Sequence, residues 1–222
     1  MLKVGFDNPF RPFAWLEEGG PKGPLLARVA AILRAAGREF EFHPYELDAN
    51  EPALVAGEVD LLAFKGITPQ RSRVMAFSRP IFRSGAALFI SPERTLAVHG
   101  DLARAGGRCV ATPRRGPLAG LIAANYPGVR LLLTSGYDDA LRAVAAGEAD
   151  AAALNVHVGA WWVKQLGLGN LMPRSPFLDI DLAIATRPAS APALLAPIDA
   201  AIEQLAGIEG PDRFLNELKE PS

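Results

Sequence analysis

The residues best placed to do chemistry are Gly66-Ile67-Thr68-Pro69-Gln70-Arg71. They follow Val59-Asp60-Leu61-Leu62-Ala63-Phe64, an apolar run that reads as a buried strand. A glycine, a hydroxyl and an arginine thus arrive together past a strand end, where a helix is expected to begin. Backbone N–H groups left unpaired at such a point favour an anion. A guanidinium adds a planar fork that grips a carboxylate at two points. The spacing predicts a pocket for a small acid with Arg71 as its anchor. Phe64 and Lys65 alternate along the strand, so one of the two faces the ligand. Lys65, Arg11, Arg114 and Arg115 read as solvated loop charge; a ligand with two acidic groups is the alternative they leave open.

Other reactive residue types do not converge. His43, His99 and His157 are scattered, without the spacing of a metal site. His157 lies two residues beyond Asn155 and reads as structural. There is no phosphate-binding glycine loop, nucleophile elbow or zinc signature, and no cofactor is expected. Cys109 is the single cysteine, so no internal disulfide can form. In Cys109-Val110-Ala111 it reads as a small buried hydrophobe rather than a reactive thiol. Asp7, just past the first strand, is either a turn cap or a residue that meets the ligand. Phe10 reads as ligand wall and Phe13 as core. At least one of Trp161 and Trp162 is expected in the core.

These residues need elements to hold them. Leu2 to Phe6 reads as a strand. Pro24 opens a helix at its first position, where its missing N–H costs nothing. Leu25, Leu26, Val29, Ile32 and Leu33 recur there at helical spacing, and Gly37 ends the helix. Phe40 and Phe42 alternate with Glu39 and Glu41 as in a strand. Pro52 to Val55 is a second helix, closed by Gly57, and Val59 to Phe64 the next strand. The same order returns later: strand Cys109–Ala111, turn Pro113–Gly116, helix through Leu121 and Ala124, strand Val129–Leu133, helix Asp138–Ala146, Gly147, strand Ala149–Leu154. Two strand–helix–strand–helix–strand copies predict two α/β lobes with mostly parallel sheets. Leu88-Phe89-Ile90 links them, Ile180 to Ala185 returns, and Ala191 to Leu218 forms terminal helices. The expected lobes are residues 1–87 with 184–222, and 88–183. Two lobes joined by two crossing strands predict a hinge and a ligand-binding cleft.

With 222 residues the chain is long enough for two such lobes. Half the residues are hydrophobic, about a fifth are charged and the net charge is -1, so neither nucleic acid nor an anionic membrane is an expected partner. No apolar segment reaches the ~20 residues of a membrane span. Lys3 runs at once into Val4-Gly5-Phe6, so a signal peptide is not read here; a cytoplasmic protein and the mature form of an exported one both stay open.

Several segments, weak singly but telling in order, resemble one family. They are Val4-Gly5-Phe6-Asp7 with Pro12-Phe13, Gly57-Glu58-Val59-Asp60, Gly66 to Arg71 and Phe77-Ser78-Arg79-Pro80. Tyr137-Asp138-Asp139-Ala140-Leu141 and Gly147-Glu148-Ala149-Asp150-Ala151 complete the set. From Leu2 to about Leu218 the chain resembles the family 3 extracellular solute-binding proteins, the amino-acid-type receptors of ABC importers. The resemblance implies a two-lobed type II periplasmic-binding fold. It implies a periplasmic monomer that closes on a small carboxylate and delivers it to an importer permease.

It also implies site residues. Arg71 matches the carboxylate-holding arginine. Gly66 stands where a hydroxyl residue often donates to the same carboxylate, leaving its backbone N–H, with Thr68 beside it. Phe10 falls where an aromatic ring often covers the ligand and Leu47 near a second such position; Asp7 and Phe64, read from their strands, complete the expected contacts. Gly116 matches the glycine of a second-lobe turn, with Pro117 and Leu118 replacing its hydroxyl residues. Asn155 stands where amino-acid receptors carry the aspartate that pairs with the ligand ammonium. The family's usual helix start is altered to Gly23-Pro24-Leu25. Asn155 and Leu118 favour an organic acid, or an amino acid held without a charged second-lobe partner. The same fold serves sensor domains of larger receptors, the alternative role. Cyclohexadienyl dehydratases also resemble these receptors, but such an enzyme needs a general acid near Asn155, where His157 is the sole candidate. The expectation is a binding protein, not an enzyme.

Overall fold

The computed structural model describes residues 1–47, 49–91, 102–173 and 177–208. The chain forms two compact units, Met1–Arg83 with Asp181–Ser222 and Ser84–Ile180. These boundaries differ by a few residues from the 87/88 and 183/184 divisions read in sequence.

Unit 1 begins with β1 (Leu2–Asp7), a hairpin of β2 (Trp15–Glu17) and β3 (Gly20–Lys22), and α1 (Pro24–Ala35). The expected helix is therefore present, with Leu25, Leu26, Val29, Ile32 and Leu33 all buried. β4 (Phe40–Tyr45), α2 (Asn50–Ala56) and β5 (Leu61–Gly66) follow. β5 is buried along its whole length, the pattern of a strand covered on both faces. After β5 comes a single 3-10 turn at Arg71–Arg73, not the helix anticipated there. The chain then enters β6 (Ala76–Ile90), a 15-residue strand of which only the Leu88–Ile90 end was legible in sequence.

β6 carries the chain into unit 2. There it forms β7 (Cys109–Pro113), α3 (Pro117–Asn125), β8 (Arg130–Thr134), α4 (Tyr137–Ala146), β9 (Ala151–Asn155), α5 (Val156–Gln165) and β10 (Met172–Pro173). β11 (Leu178–Thr186) returns to unit 1, which α6 (Ala191–Ile208) completes. The part of the expected terminal helix beyond residue 208 lies outside the described residues, as does His99.

In unit 1 the strand order is β4-β1-β5-β11-β6, with β1 parallel to both neighbours and β11 antiparallel to β5. In unit 2 it is β6-β9-β7-β8, with β7 parallel to β8 and β9, and β10 antiparallel to β6. Unit 2 centres on Phe89, Leu141, Val144, Leu154 and Cys109, the last buried as expected. Trp162 packs against this core and meets Trp161 edge-on at 4.9 Å.

Each unit uses one joint to pass from helix to strand. α2 ends on Gly57 at φ 81 and α4 on Gly147 at φ 83, the left-handed conformation that glycine adopts without strain. Asp60 then donates its N–H to the Lys3 carbonyl and accepts the Lys3 N–H on Oδ2, both at 2.9 Å. Asp150 does the same with Cys109, both at 2.8 Å. The two Gly-Glu-X-Asp segments are thus a structural device repeated in both units.

α6 carries Pro197 in its interior, where proline removes the hydrogen bond to the carbonyl four residues back. That carbonyl, on Ala193, accepts from Arg38 Nη2 at 3.1 Å. A side chain from the end of α1 thereby satisfies the group that Pro197 leaves open.

Candidate functional site

Unit 1 gathers four charged side chains. Lys65 sits in β5 with its side chain 3% exposed, and Asp7 ends β1 with its side chain 6% exposed. Lys65 Nζ donates to Asp7 Oδ2 at 2.8 Å and stands 3.3 Å from Glu51 Oε1. Arg71 Nη2 donates to the same Glu51 oxygen at 2.5 Å. Lys65 is therefore a buried cation between two carboxylates, not solvated loop charge. Charges this deep are tolerated only when paired.

The Arg71 guanidinium is held from behind. Its Nη1 donates to the Gly66 carbonyl at 3.3 Å, and its backbone N–H donates to Thr68 Oγ1 at 3.2 Å. Thr68 and Gly66, both expected near the ligand, here orient Arg71. A second support runs through the turn itself, where Ser72 and Met75 N–H groups donate to the Thr68 and Arg71 carbonyls. Arg71 thus sits on a hydrogen-bonded turn just past a strand end.

Burial alone would raise the Glu51 carboxyl above its ordinary value near 4.5. Lys65 and Arg71, by their charges and the hydrogen bonds they donate, outweigh that and hold it lowered. Glu51 is ionised at neutral pH and lies in the first turn of α2, where a carboxylate also suits the helix dipole. Sequence reasoning missed it. The available signal was an acid beside Pro52 at a helix start, which reads as an ordinary dipole partner.

The aromatic residues of unit 1 form a chain of contacts. Phe10 stacks on Phe64 at 6.1 Å and tilts onto Phe13 at 5.6 Å. Phe13 meets Phe82 edge-on at 5.4 Å. Phe13 and Phe64 are buried, and Phe10 keeps part of its surface exposed. Leu47, half-buried, lies in the turn between β4 and α2. Arg11 lies 4.3 Å over the Trp15 ring and pairs with Glu17 at 3.7 Å, so it belongs to the β2–β3 hairpin.

Unit 2 holds a polar network built on Asn155, Ser84 and His157. Asn155 ends β9 and caps α5: its Oδ1 accepts from the N–H groups of His157 at 3.1 Å and Val158 at 3.2 Å. Its Nδ2 donates to Ser84 Oγ at 2.9 Å, and Ser84 Oγ lies 3.0 Å from His157 Nδ1. Burial lowers the His157 pKa from its ordinary value near 6.5, which favours the neutral ring. Asn155 is 8% exposed. The asparagine at the expected ammonium position therefore has three internal partners and a clear capping role. Gly116 precedes α3, Pro117 is its first residue and Leu118 is buried. Arg114 and Arg115 are exposed.

Two α/β units of this topology, with a half-buried arginine on a turn after a fully buried strand, define a solute-binding architecture. The chain belongs to the bacterial extracellular solute-binding proteins, family 3, whose model matches residues 2–207. It is 26% identical over 193 residues to the virulence sensor protein BvgS of Bordetella pertussis strain Tohama I, a match covering 84% of this chain and 15% of BvgS. The chain thus spans a small part of that sensor's length. Among solved structures it is similar to a histidine kinase sensor domain with similarity to periplasmic binding proteins. The TM-score there is 0.85 at 26% identity, covering 98% of this chain and 93% of that one. The fold also matches the ancestral amino acid-binding protein AncCDT-1, a precursor of cyclohexadienyl dehydratase, with a TM-score of 0.80 at 21% identity, covering 99% and 95% of the two chains. Among the described residues no helix is long and apolar enough to cross a membrane.

Proposed function

We propose that this chain is the extracytoplasmic sensing module of a larger receptor and binds a small carboxylate-bearing solute on Arg71. The observation that carries the reading is the Arg71 side chain, 12% exposed just past the end of β5, with its guanidinium held by the Gly66 carbonyl and its backbone N–H by Thr68. A planar cation fixed in this way is built to receive a carboxylate. Sensing is favoured over delivery to an ABC importer because BvgS and the kinase sensor domain are sensors at 26% identity. A binding role without turnover is favoured by the unit 2 network, whose Asn155 and Ser84 are engaged in capping and in mutual hydrogen bonds.

A thermal-shift screen of amino acids and organic acids tests the binding claim. At least one carboxylate should stabilise the wild type, and Arg71→Ala should erase that response. Stabilisation that survives Arg71→Ala would remove this residue from the site. Fusion of the domain to a reporter kinase separates sensing from import, because solute-dependent phosphorylation is expected only of a sensor. Turnover of prephenate or arogenate by the purified protein would overturn the non-catalytic reading.

A further inference from the structure

We infer that strand β8 is a self-complementary interface through which two copies of this chain pair, in place of the monomer implied by the family resemblance. The interface lies within unit 2 and involves neither Arg71 nor a solute. Among the described residues β4 is bonded only to β1 and β8 only to β7, so each stands at a sheet edge. An open edge offers unpaired N–H and C=O groups to another chain. β4 is guarded against this: it carries Glu41, paired with His43 at 2.7 Å, and Pro44, which has no N–H to offer. β8, Arg130-Leu131-Leu132-Leu133-Thr134, instead runs through three leucines in succession. Leu131 and Leu132 are half-buried and Leu133 is 43% exposed.

The bonds to β7 fix which groups face outward. Arg130 donates its N–H to the Arg108 carbonyl at 2.9 Å, and the Thr134 carbonyl accepts from the Arg114 N–H at 2.8 Å. Residues two apart on a strand point the same way, so Leu131 and Leu133 turn their backbone groups to the open edge. One two-fold antiparallel register uses both. With the axis at Leu132, Leu131 of each copy lies opposite Leu133 of the other and exchanges two hydrogen bonds with it, while the two Leu132 residues face each other unbonded. Arg130 of each copy then stands opposite Thr134 of the other. Charge favours this register. Leu132 and Thr134 line a groove of about 350 Å³ beside α4, whose charged members are Asp139, Arg142 and Glu148. Two carboxylates against one guanidinium leave it net negative. The Ser135 hydroxyl donates to Asp139 Oδ2, which holds that carboxylate beside the end of β8. Arg130 shares the strand face of Leu132 and Thr134, so the register brings the Arg130 of one copy to the acidic groove of the other.

Two five-residue strands make a small contact, of the weak and concentration-dependent class. Sedimentation equilibrium should therefore give a dimer with a dissociation constant of about 1 mM or tighter, and a chain that stays monomeric up to about 1 mM overturns the proposal. Leu133→Lys changes an exposed position and sets a charge between the paired strands. It should weaken the dimer at least about tenfold, and a dimer that resists it lies elsewhere on the molecule. Arg130→Asp and Asp139→Arg should each weaken pairing, and the two changes together should restore it. A double variant without recovery rejects the register. Leu132→Cys should give a disulfide-linked dimer under mild oxidation and Leu133→Cys should not, because only position 132 meets itself across the axis. Cross-linking at 133 instead of 132, or at neither, also rejects it. Should Leu132→Cys fail to fold, the three exposed positions 130, 133 and 139 still decide.

Discussion

Unit 1 and unit 2 close the same corner with the same atoms. In each, a helix stops on a left-handed glycine, and an aspartate three residues later exchanges two hydrogen bonds with the residue that leads a parallel strand. What the units bury beyond that corner differs. Unit 1 buries the ion cluster of Asp7, Lys65, Glu51 and Arg71. Unit 2 buries Thr112, Asn155 and Ser84, with His157 alongside, and among the described residues its buried polar side chains are neutral amides and hydroxyls. The shared corner is what the fold requires. The unshared charge is where the proposed carboxylate recognition on Arg71 resides.

The contrast breaks most sharply at Lys65. Lys65→Met removes the cation from between two carboxylates and should cost unit 1 about 3–5 kcal/mol, the range for breaking a buried ion pair. Hydrogen exchange should locate the loss in β1 and β5. Unchanged protection there would mean that the cluster is not buried in solution. The matching lesion in unit 2 is one of packing rather than charge. A Cβ on Gly159 would fall 2.4 Å from the Phe89 ring. Gly159→Ala should destabilise unit 2 by about 1–3 kcal/mol through overpacking. Chemical denaturation that finds it neutral would show that Phe89 repacks freely.

Acid should separate the units by pH. The His157 pKa is lowered in the folded state by burial, so the unfolded chain takes up this proton first. Its contribution is intact above about 6.5 and is lost as pH falls through the lowered folded value. The Glu51 pKa is lowered as well, so its contribution is complete above about 4.5 and is lost only below that. Stability measured between pH 7 and pH 5 should therefore decline through unit 2, and His157→Gln should flatten that decline. A slope that persists in His157→Gln would assign it to another group. The smallest effect expected is a gain. Asn50 is wholly buried at the start of α2, and among the described residues neither its Oδ1 nor its Nδ2 has a hydrogen-bond partner. Asn50→Leu should raise stability by about 1 kcal/mol, since an unsatisfied buried amide carries a desolvation cost of that order. A loss of that size would show the amide to be satisfied in solution.

Much of this architecture was readable beforehand, for local reasons. Gly57 and Gly147 announced helix ends because few other residues tolerate their backbone angles. The apolar run into Gly66 announced β5, and Arg71 followed from its place after a strand. β6 was read only at Leu88–Ile90, since Arg79, Pro80 and Arg83 interrupt its apolar pattern and proline argues against a strand interior. The β2–β3 hairpin was read as a turn because its two strands are three residues each. Within the site, Asp7 and Arg71 were legible from position. Glu51 was not, because its meaning comes from Lys65 and Arg71, which only the β1–β5 register and the turn at Thr68 bring to it. The contact of Ser84 with His157 spans 73 residues of sequence and was hidden for the same reason.

A crystal structure of the protein with its tightest-binding carboxylate tests the central assignment most directly. The account predicts both carboxylate oxygens within about 3 Å of the Arg71 guanidinium, hydrogen-bond distance for such a pair. A solute carboxylate bound away from Arg71 would contradict it.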